Sequence, residues 1–135
     1  MLKNKNIVII GGTTGLGLSA AKSFINNGAK VVVVGRNDDS VASAKKELGK
    51  NADAISADAT KEATAINAIK HCIQQFGSFD GLYHVAGGSG RRFGDGPLHA
   101  LTLEGWNKTM ELNLTSLMLS NQAAIKQFLQ EGKGG

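Results

Sequence analysis

The sequence predicts an α/β fold, a doubly wound parallel sheet with helices on both of its faces. Four short apolar runs alternate along the 135 residues with stretches in which apolar residues recur at helical spacing. Glycines close most of these stretches and proline occurs once, as expected where short turns join strands to helices. Right-handed crossovers would give the strand order 3-2-1-4, with a ligand site between strands 1 and 4.

The first strand–helix unit is built around a glycine-rich turn. Residues 7–10 are a short β-branched run typical of a buried strand. Three glycines follow it, namely Gly11, Gly15 and Gly17. A helix is then expected to end at residues 27–28, where a glycine can cap it, and its apolar positions are Leu18, Ala21, Phe24 and Ile25.

Two further units follow the same plan. Residues 30–34 predict a second buried strand, and residues 38–48 predict a helix closed by Gly49. Residues 54–57 predict a third strand, which ends at Asp58. Thr60 is then expected to cap a helix that ends at Gly77, with an apolar stripe of Ala63, Ile66, Ile69, Ile73 and Phe76.

The fourth unit ends in a long helix. Residues 81–85 predict a strand, residues 87–101 a glycine-rich loop, and residues 102–130 a helix. The main apolar stripe of this helix, expected to dock on the sheet, is Met110, Leu114, Leu117, Met118, Ile125 and Phe128. A second apolar set on the opposite side predicts a further partner for the helix, and it consists of Leu112, Leu119 and Ala123.

Composition limits the classes of function. A chain of 135 residues is expected to form one domain, and no metal site is predicted. The formal charge is +4, but the basic residues are scattered and few aromatics lie near them, so no nucleic-acid partner is predicted. No apolar run approaches the ~20 residues of a membrane span, and Met1 leads directly into the first strand. We therefore expect a cytoplasmic protein without a membrane partner, in which the single cysteine, Cys72, is a buried core thiol.

The glycine-rich turn has the chemistry of a phosphate site. Glycine permits a left-handed backbone and lets main-chain N–H groups approach a pyrophosphate, while the following helix directs its positive end at the same anion. The binding residues predicted here are Gly11, Thr13, Thr14, Gly15, Leu16 and Gly17. Their G-x-x-x-G-x-G spacing resembles the first turn of the short-chain dehydrogenase/reductase family, although Ile10 stands where that family usually has threonine. The resemblance implies a Rossmann-like fold and a nicotinamide dinucleotide cofactor.

The end of the second strand bears on the choice of cofactor. A site specific for NAD would normally carry an acid there for the ribose 2′-hydroxyl. This chain instead has Arg36 and Asn37 at the tip, and an arginine suits a 2′-phosphate. NADP is therefore favoured over NAD, with the alternative that Arg36 is a surface residue neutralised by Asp38 and Asp39.

Two further motifs match the family by position. The resemblance implies that Asp58, with Ala59, contacts the adenine amino group, although a carboxylate beside a helix start can equally be a cap. At the end of the fourth predicted strand, residues 84–87 stand where the family usually has Asn-Asn-Ala-Gly along the cofactor ribose: Ala86 and Gly87 match, and Val85 does not, although all three are predicted to bind the cofactor. His84 replaces the first asparagine, either as a substitute hydrogen-bond partner or as a core histidine.

The resemblance also implies a catalytic residue in the long helix. Asn113 falls where the family places an asparagine that holds a water in its proton relay. A solvated mid-helix asparagine is the alternative interpretation.

The rest of the family's catalytic set does not occur in these residues. The family uses a serine on its fifth strand and a Tyr-x-x-x-Lys on the next helix, whereas the single tyrosine here, Tyr83, lies within the fourth predicted strand. The chain is thus expected to be the N-terminal portion, residues 1–135, of an NAD(P)-binding Rossmann domain that ends before the fifth strand, inactive by itself.

Three classes of function follow. The first is an NADP-dependent oxidoreductase that acts on a small carbonyl or alcohol substrate and forms a homo-oligomer in its full-length form. The second is a dinucleotide-binding or sensing module without chemistry. The third is another Rossmann-like group such as the methyltransferases, which the glycine spacing and Arg36 disfavour.

Overall fold

The computed structural model describes residues 1–135 and confirms the predicted sheet. Four parallel strands lie in the order β3-β2-β1-β4. The strands are β1 (Asn6–Ile10), β2 (Lys30–Gly35), β3 (Ala52–Ser56) and β4 (Gly81–His84). β1 pairs with β2 on one side and with β4 on the other, so the sheet changes winding direction between β1 and β4, as the sequence predicts.

The chain has five α-helices. They are α1 (Gly15–Asn26), α2 (Asp38–Leu48), α3 (Glu62–Phe76), α4 (Leu103–Met110) and α5 (Ser116–Glu131). Of these, α1 and α2 pack on one face of the sheet and α3 and α5 on the other. Successive side chains of a strand point to opposite faces, and those of β1 and β2 therefore enter two separate cores. Ile9 packs with residues of α1 and α2, whereas Ile10 packs with residues of α3 and α5. None of the helices combines the length and the apolar character that crossing a membrane requires.

Strand β3 begins earlier than its sequence suggests. The prediction was residues 54–57, and the strand spans Ala52–Ser56. Asp53 disfavours a strand by composition, but its carboxylate lies 2.8 Å from the Lys45 ammonium and 2.7 Å from His71 Nε2. These tertiary partners offset the poor strand propensity. β4 ends at His84, one residue before the predicted strand end at Val85.

Helix α3 differs from its prediction at its start and in its buried face. Thr60 does not cap it, because the Thr60 hydroxyl donates to Asp58 and the helix begins at Glu62. Of the predicted apolar stripe, Ala63 and Ile66 are exposed. Ile69 is buried as predicted, and Ile73 and Phe76 pack against the core. The other buried positions are Thr64, Ala65, Ala68 and Cys72, small side chains that let the helix approach the sheet. Burial of the Cys72 thiol, which was predicted, raises its pKa to about 12.

The long helix is divided by one π-helical turn. α4 begins after Thr102, whose hydroxyl accepts a hydrogen bond from the Gly105 N–H, and the π-turn Glu111–Thr115 joins it to α5. The predicted stripe is wrong: of its members only Phe128 packs in the core, stacked on Phe79 with the ring centroids 4.9 Å apart. The exposed members are Met110, Leu114, Leu117, Met118 and Ile125.

The face of α5 that meets the sheet is made of small side chains. Its buried residues are Ser116, Ser120 and Ala124. The set predicted to lie on the opposite side, Leu112, Leu119 and Ala123, is half-buried: Ala123 packs against the core, and Leu112 lies in the π-turn. The prediction assumed a constant helical period and the burial of the largest apolar residues, and neither holds here.

Candidate functional site

A cavity of about 320 Å³ lies at the carboxyl ends of the strands. In an open α/β sheet this edge, at the point where the winding reverses, is where ligands bind. Eleven of the fourteen site residues predicted from the sequence line it. They are Gly11, Thr13, Thr14, Gly15, Leu16, Arg36, Asp58, Ala59, Val85, Ala86 and Gly87.

Gly11 forms the floor of the glycine turn. Its N–H and that of Gly12 donate to the Val34 carbonyl oxygen over 2.8 and 3.0 Å, which ties the turn to β2. Gly11 has φ of +88°, and a Cβ there would approach the Ala86 nitrogen to 2.6 Å. This position therefore requires glycine both for its backbone conformation and for its close contact with the opposite wall.

The start of α1 faces the cavity with its N–H groups free. Thr14 precedes the helix without capping it through its side chain, and the first turn carries no acid. Gly15 lines the cavity, and a Cβ on it would meet no atom within 4 Å, so the space beside the helix start is open. The first N–H groups of a helix have no partner within it and carry partial positive charge. This cradle fits a phosphate group.

Gly17 lies behind the turn and does not line the cavity. A Cβ there would collide with the Gly11 carbonyl oxygen. Because Gly17 has no side chain, α1 can pack closely against the turn, and Gly17 therefore shapes the cavity without lining it.

Arg36 lines the cavity at the end of β2, with an exposed side chain. It forms no ion pair, and the alternative in which Asp38 and Asp39 neutralise it receives no support from the geometry. Asn37 lies outside the main cavity: its side chain caps α2 by accepting from the Ser40 N–H at 2.9 Å. It lines an adjoining shallow depression together with Thr13, Thr14, Arg36 and Ser40.

Asp58 presents an oriented carboxylate to the cavity. Its Oδ1 accepts from the Thr60 N–H at 2.9 Å and from the Thr60 hydroxyl at 2.8 Å. Partial burial alone would raise the pKa of Asp58, but these two hydrogen bonds, with the charges of Arg36 and Lys61, hold it below its ordinary value. The group is therefore an ionised acceptor at neutral pH.

The residues after β4 form the opposite wall of the cavity. The N–H groups of Val85 and Ala86 both donate to the Ile10 carbonyl oxygen, at 2.8 and 2.9 Å. His84 lies half-buried behind this wall, with Nδ1 2.8 Å from the Ser120 hydroxyl and Nε2 2.9 Å from the Ala86 carbonyl oxygen. Its ring therefore joins β4 to α5 by hydrogen bonds.

Asn113 lies in the π-turn and does not line the cavity. Its Oδ1 accepts from the Gly88 N–H at 3.1 Å, and its Nδ2 donates to the Gly88 carbonyl oxygen at 2.6 Å. A Cβ on Gly87 would approach Asn113 Oδ1 to 2.6 Å. The side chain thus fixes the start of the loop that leaves the cavity wall.

Sequence reasoning missed several lining residues. They are Ile10, Val34, Gly35, Ala57, Thr60 and Leu112. Most of them flank the predicted strand ends, so their position at that edge of the sheet was the available signal. Leu112 reaches the wall from the π-turn, whereas helical periodicity places it in the second apolar set, for which a further partner is predicted. No three acidic, histidine or cysteine side chains lie close enough together to hold a metal ion.

Comparison with known proteins matches this architecture to one family. Residues 5–135 match the family model of the short chain dehydrogenases. A 2,5-dichloro-2,5-cyclohexadiene-1,4-diol dehydrogenase, LinX, of Sphingobium indicum is 34% identical over 136 residues, which cover 98% of this chain and 53% of that protein. The 3beta-hydroxysteroid dehydrogenase 2 of Eggerthella lenta is 27% identical over 138 residues, covering 100% of this chain and 52% of that protein.

Solved structures show the same likeness. A short chain dehydrogenase from Bacillus anthracis superposes with a TM-score of 0.88 at 28% identity, over 99% of this chain and 54% of that one. A short-chain type dehydrogenase/reductase from Mycobacterium ulcerans gives a TM-score of 0.86 at 29% identity, over 98% of this chain and 49% of that one. The chain thus spans about half the length of the proteins it matches.

Proposed function

Because the chain belongs to the short-chain dehydrogenase family, we propose that residues 1–135 form the dinucleotide-binding portion of an NAD(P)-dependent oxidoreductase. The reaction would be hydride transfer between NADP(H) and a small carbonyl or alcohol substrate. One observation carries this proposal: the glycine turn, the open start of α1, Arg36 and Asp58 all meet in one cavity at the switch point of the sheet.

Each wall of the cavity has a distinct task in this proposal. Main-chain N–H groups at the start of α1 would hold the pyrophosphate, and Asp58 would accept a hydrogen bond from the adenine amino group. The backbone of Ala86 and Gly87 would lie along the ribose. The nicotinamide would supply the site that gives or takes the hydride, and the residues described here would bind and orient the cofactor.

The unpaired Arg36 supports NADP over NAD. A 2′-phosphate can take paired, charge-assisted hydrogen bonds from a guanidinium group, and Arg36 has no carboxylate bound to it that would compete. The relatives support an alcohol or carbonyl substrate, because one is named for a diol and the other for a hydroxysteroid.

Titration calorimetry with NADPH, NADP⁺, NADH and NAD⁺ tests the binding part of this proposal. We expect the 135-residue chain to bind NADPH and NADP⁺ more tightly than NADH and NAD⁺. A chain that binds none of the four would overturn the proposed function.

A carbonyl panel with NADPH tests the chemistry. We expect no turnover by these residues alone, because their single tyrosine, Tyr83, lies in β4 against Phe24, with ring centroids 5.7 Å apart, and not in the cavity. Turnover by the 135-residue chain would contradict this expectation. Continuation of the reading frame into a strand with a serine and a Tyr-x-x-x-Lys would support the oxidoreductase, whereas a continuation without them would favour a binding module.

A further inference from the structure

Three polar side chains meet between β4 and α5, on the far side of the cavity wall. Ser116 and Ser120 are 0% and 2% exposed, and both face the ring of His84. A helix that only needed to pack on a sheet could carry alanine at both positions, as α5 does at Ala124. Buried hydroxyl groups need hydrogen-bond partners. Each hydroxyl has a backbone carbonyl oxygen of the preceding helical turn, Leu112 for Ser116 and Leu117 for Ser120, and His84 is the partner outside the helix that the two share.

The hydrogen bonds of the cluster determine which ring nitrogen carries the proton. The Ala86 carbonyl oxygen only accepts, so His84 Nε2, 2.9 Å away, must donate to it. The Ser116 hydroxyl donates to the Leu112 carbonyl oxygen at 2.7 Å. Its oxygen can therefore only accept from Nε2, which lies 3.4 Å away. Nδ1 then carries no proton, and the Ser120 hydroxyl, 2.8 Å from it, can donate its single proton either to Nδ1 or to the Leu117 carbonyl oxygen at 3.0 Å. Burial lowers the pKa of His84 more than the bond to Ala86 raises it, which favours this neutral form.

The segment that His84 holds lines the cavity and packs directly against the glycine turn. The Ala86 N–H donates to the Ile10 carbonyl oxygen. The Ala86 backbone also lies close to Gly11, since a Cβ placed on Gly11 would come within 2.9 Å of the Ala86 Cα. A displacement of Ala86 would therefore change the gap between the glycine turn and the opposite wall. The bond from His84 fixes the carbonyl side of this residue.

We propose that His84 is a positioning residue for the dinucleotide: through Ser116 and Ser120 it holds the Ala86 wall of the cavity on α5. This role rests on the proposed function above. His84 does not line the cavity and would act only through the backbone of Ala86.

The expected consequence is a loss of cofactor affinity without loss of the fold. His84→Ala should weaken NADPH binding about three- to ten-fold, the range for one intramolecular hydrogen bond. His71→Ala is the matched control, because that ring bonds Asp53 at the β3 edge of the sheet, and it should bind NADPH like the unmodified chain. Ser120→Ala removes the partner of Nδ1, together with a local bond to the Leu117 carbonyl oxygen, and should give a smaller loss in the same direction.

Calorimetric titration with NADPH and ¹⁵N-histidine NMR of the 135-residue chain test the role together. The expected spectrum shows His84 protonated at Nε2 and not at Nδ1, with the amide signals of Ala86 and Gly87 shifted in Ser120→Ala. Protonation of His84 at Nδ1 alone would overturn the proposal, as would unchanged NADPH affinity in a folded His84→Ala chain. If His84→Ala does not fold, unchanged affinity and unshifted amides in Ser120→Ala decide against it. Failure of the unmodified chain to bind NADPH would instead overturn the proposed function, and this role with it.

Discussion

Gly11 and Ala86 approach each other so closely that a Cβ on Gly11 would lie 2.6 Å from the Ala86 nitrogen. Gly11→Ala must therefore move a backbone segment and also adopt φ of +88°. We expect it to lower the free energy of unfolding by about 2–4 kcal/mol, measured by urea denaturation. Gly96→Ala, where a Cβ meets no atom within 4 Å, should have little effect. Equal stability of the two variants would show that the two segments can separate freely.

The helix start gives a prediction about binding alone. Gly15 lines the cavity at the helix start with a positive φ and open space around it. We expect Gly15→Ala to disturb the phosphate cradle and to weaken NADPH binding about ten-fold or more, the worth of a charge-assisted hydrogen bond. Gly49→Ala is the matched control, because Gly49 also has a positive φ and open space around it but lies at the end of α2. If both variants bind NADPH equally well in calorimetric titration, the cradle does not hold a phosphate.

Arg36 is expected to distinguish the two cofactors. Arg36→Ala should weaken NADPH binding by about 1.5–3 kcal/mol, because it removes a hydrogen bond to a charged group, and should leave NADH binding almost unchanged. Arg92→Ala, on the loop beyond the cavity, serves as the control. Titration of both cofactors decides the matter, since an equal loss for NADPH and NADH would contradict a contact with the 2′-phosphate.

Asp53 predicts a pH dependence of stability. Partial burial alone would raise its pKa, but hydrogen bonds from Lys45 and His71 hold the pKa below the ordinary value of 3.8. A carboxyl group with a lower pKa in the folded than in the unfolded state stabilises the fold above the unfolded value, and this contribution is lost as the pH falls through the folded pKa.

Asp53→Asn should therefore lower the free energy of unfolding by about 1 kcal/mol at neutral pH. Its difference from the unmodified chain should close as the pH falls below 3.8. Urea denaturation across this range measures it, and a difference that does not vary with pH would show that the charge of Asp53 is unimportant.

The outer face of the long helix predicts self-association. Leu114, Met118 and Ile125 are 59%, 50% and 56% exposed, and β4 is an edge strand with one neighbour. We expect light scattering to show species larger than a monomer, and Met118→Glu combined with Ile125→Glu to shift them to smaller mass. Lys126→Glu, an exposed polar position beside them, should not. A monodisperse unmodified monomer would contradict the expectation.

The strand order and the residues of the glycine turn follow from sequence because each depends on local signals. Short β-branched runs, capping glycines and the right-handed crossover rule suffice to order the sheet. The limits of β3 could not be obtained in this way, since Asp53 is stabilised in its strand by side chains from α2 and α3. The role of Asn37 as a helix cap is likewise visible only once Ser40 is in place.

The faces of the helices were harder to predict than their positions. Hydrophobic periodicity identifies the largest apolar side chains, but α3 and α5 approach the sheet through small residues such as Ala68 and Ser120. The sequence permits two roles for His84, a hydrogen-bond partner or a core histidine. The two buried serines that contact its ring lie more than thirty residues away in sequence. Contacts of this kind carry no local signal.

The π-turn between α4 and α5 makes the count of residues as important as their identity. Each residue of a regular helix turns the chain by about 100°, and a π-turn accommodates one residue more than an α-helical turn does. Deleting one residue within Glu111–Thr115 would therefore return this turn to α-helical geometry, and Ser116, Ser120 and Ala124 would keep facing the sheet. A deletion inside α5 itself would instead rotate every following side chain by about 100°, and the change would be felt across the face that meets the strands.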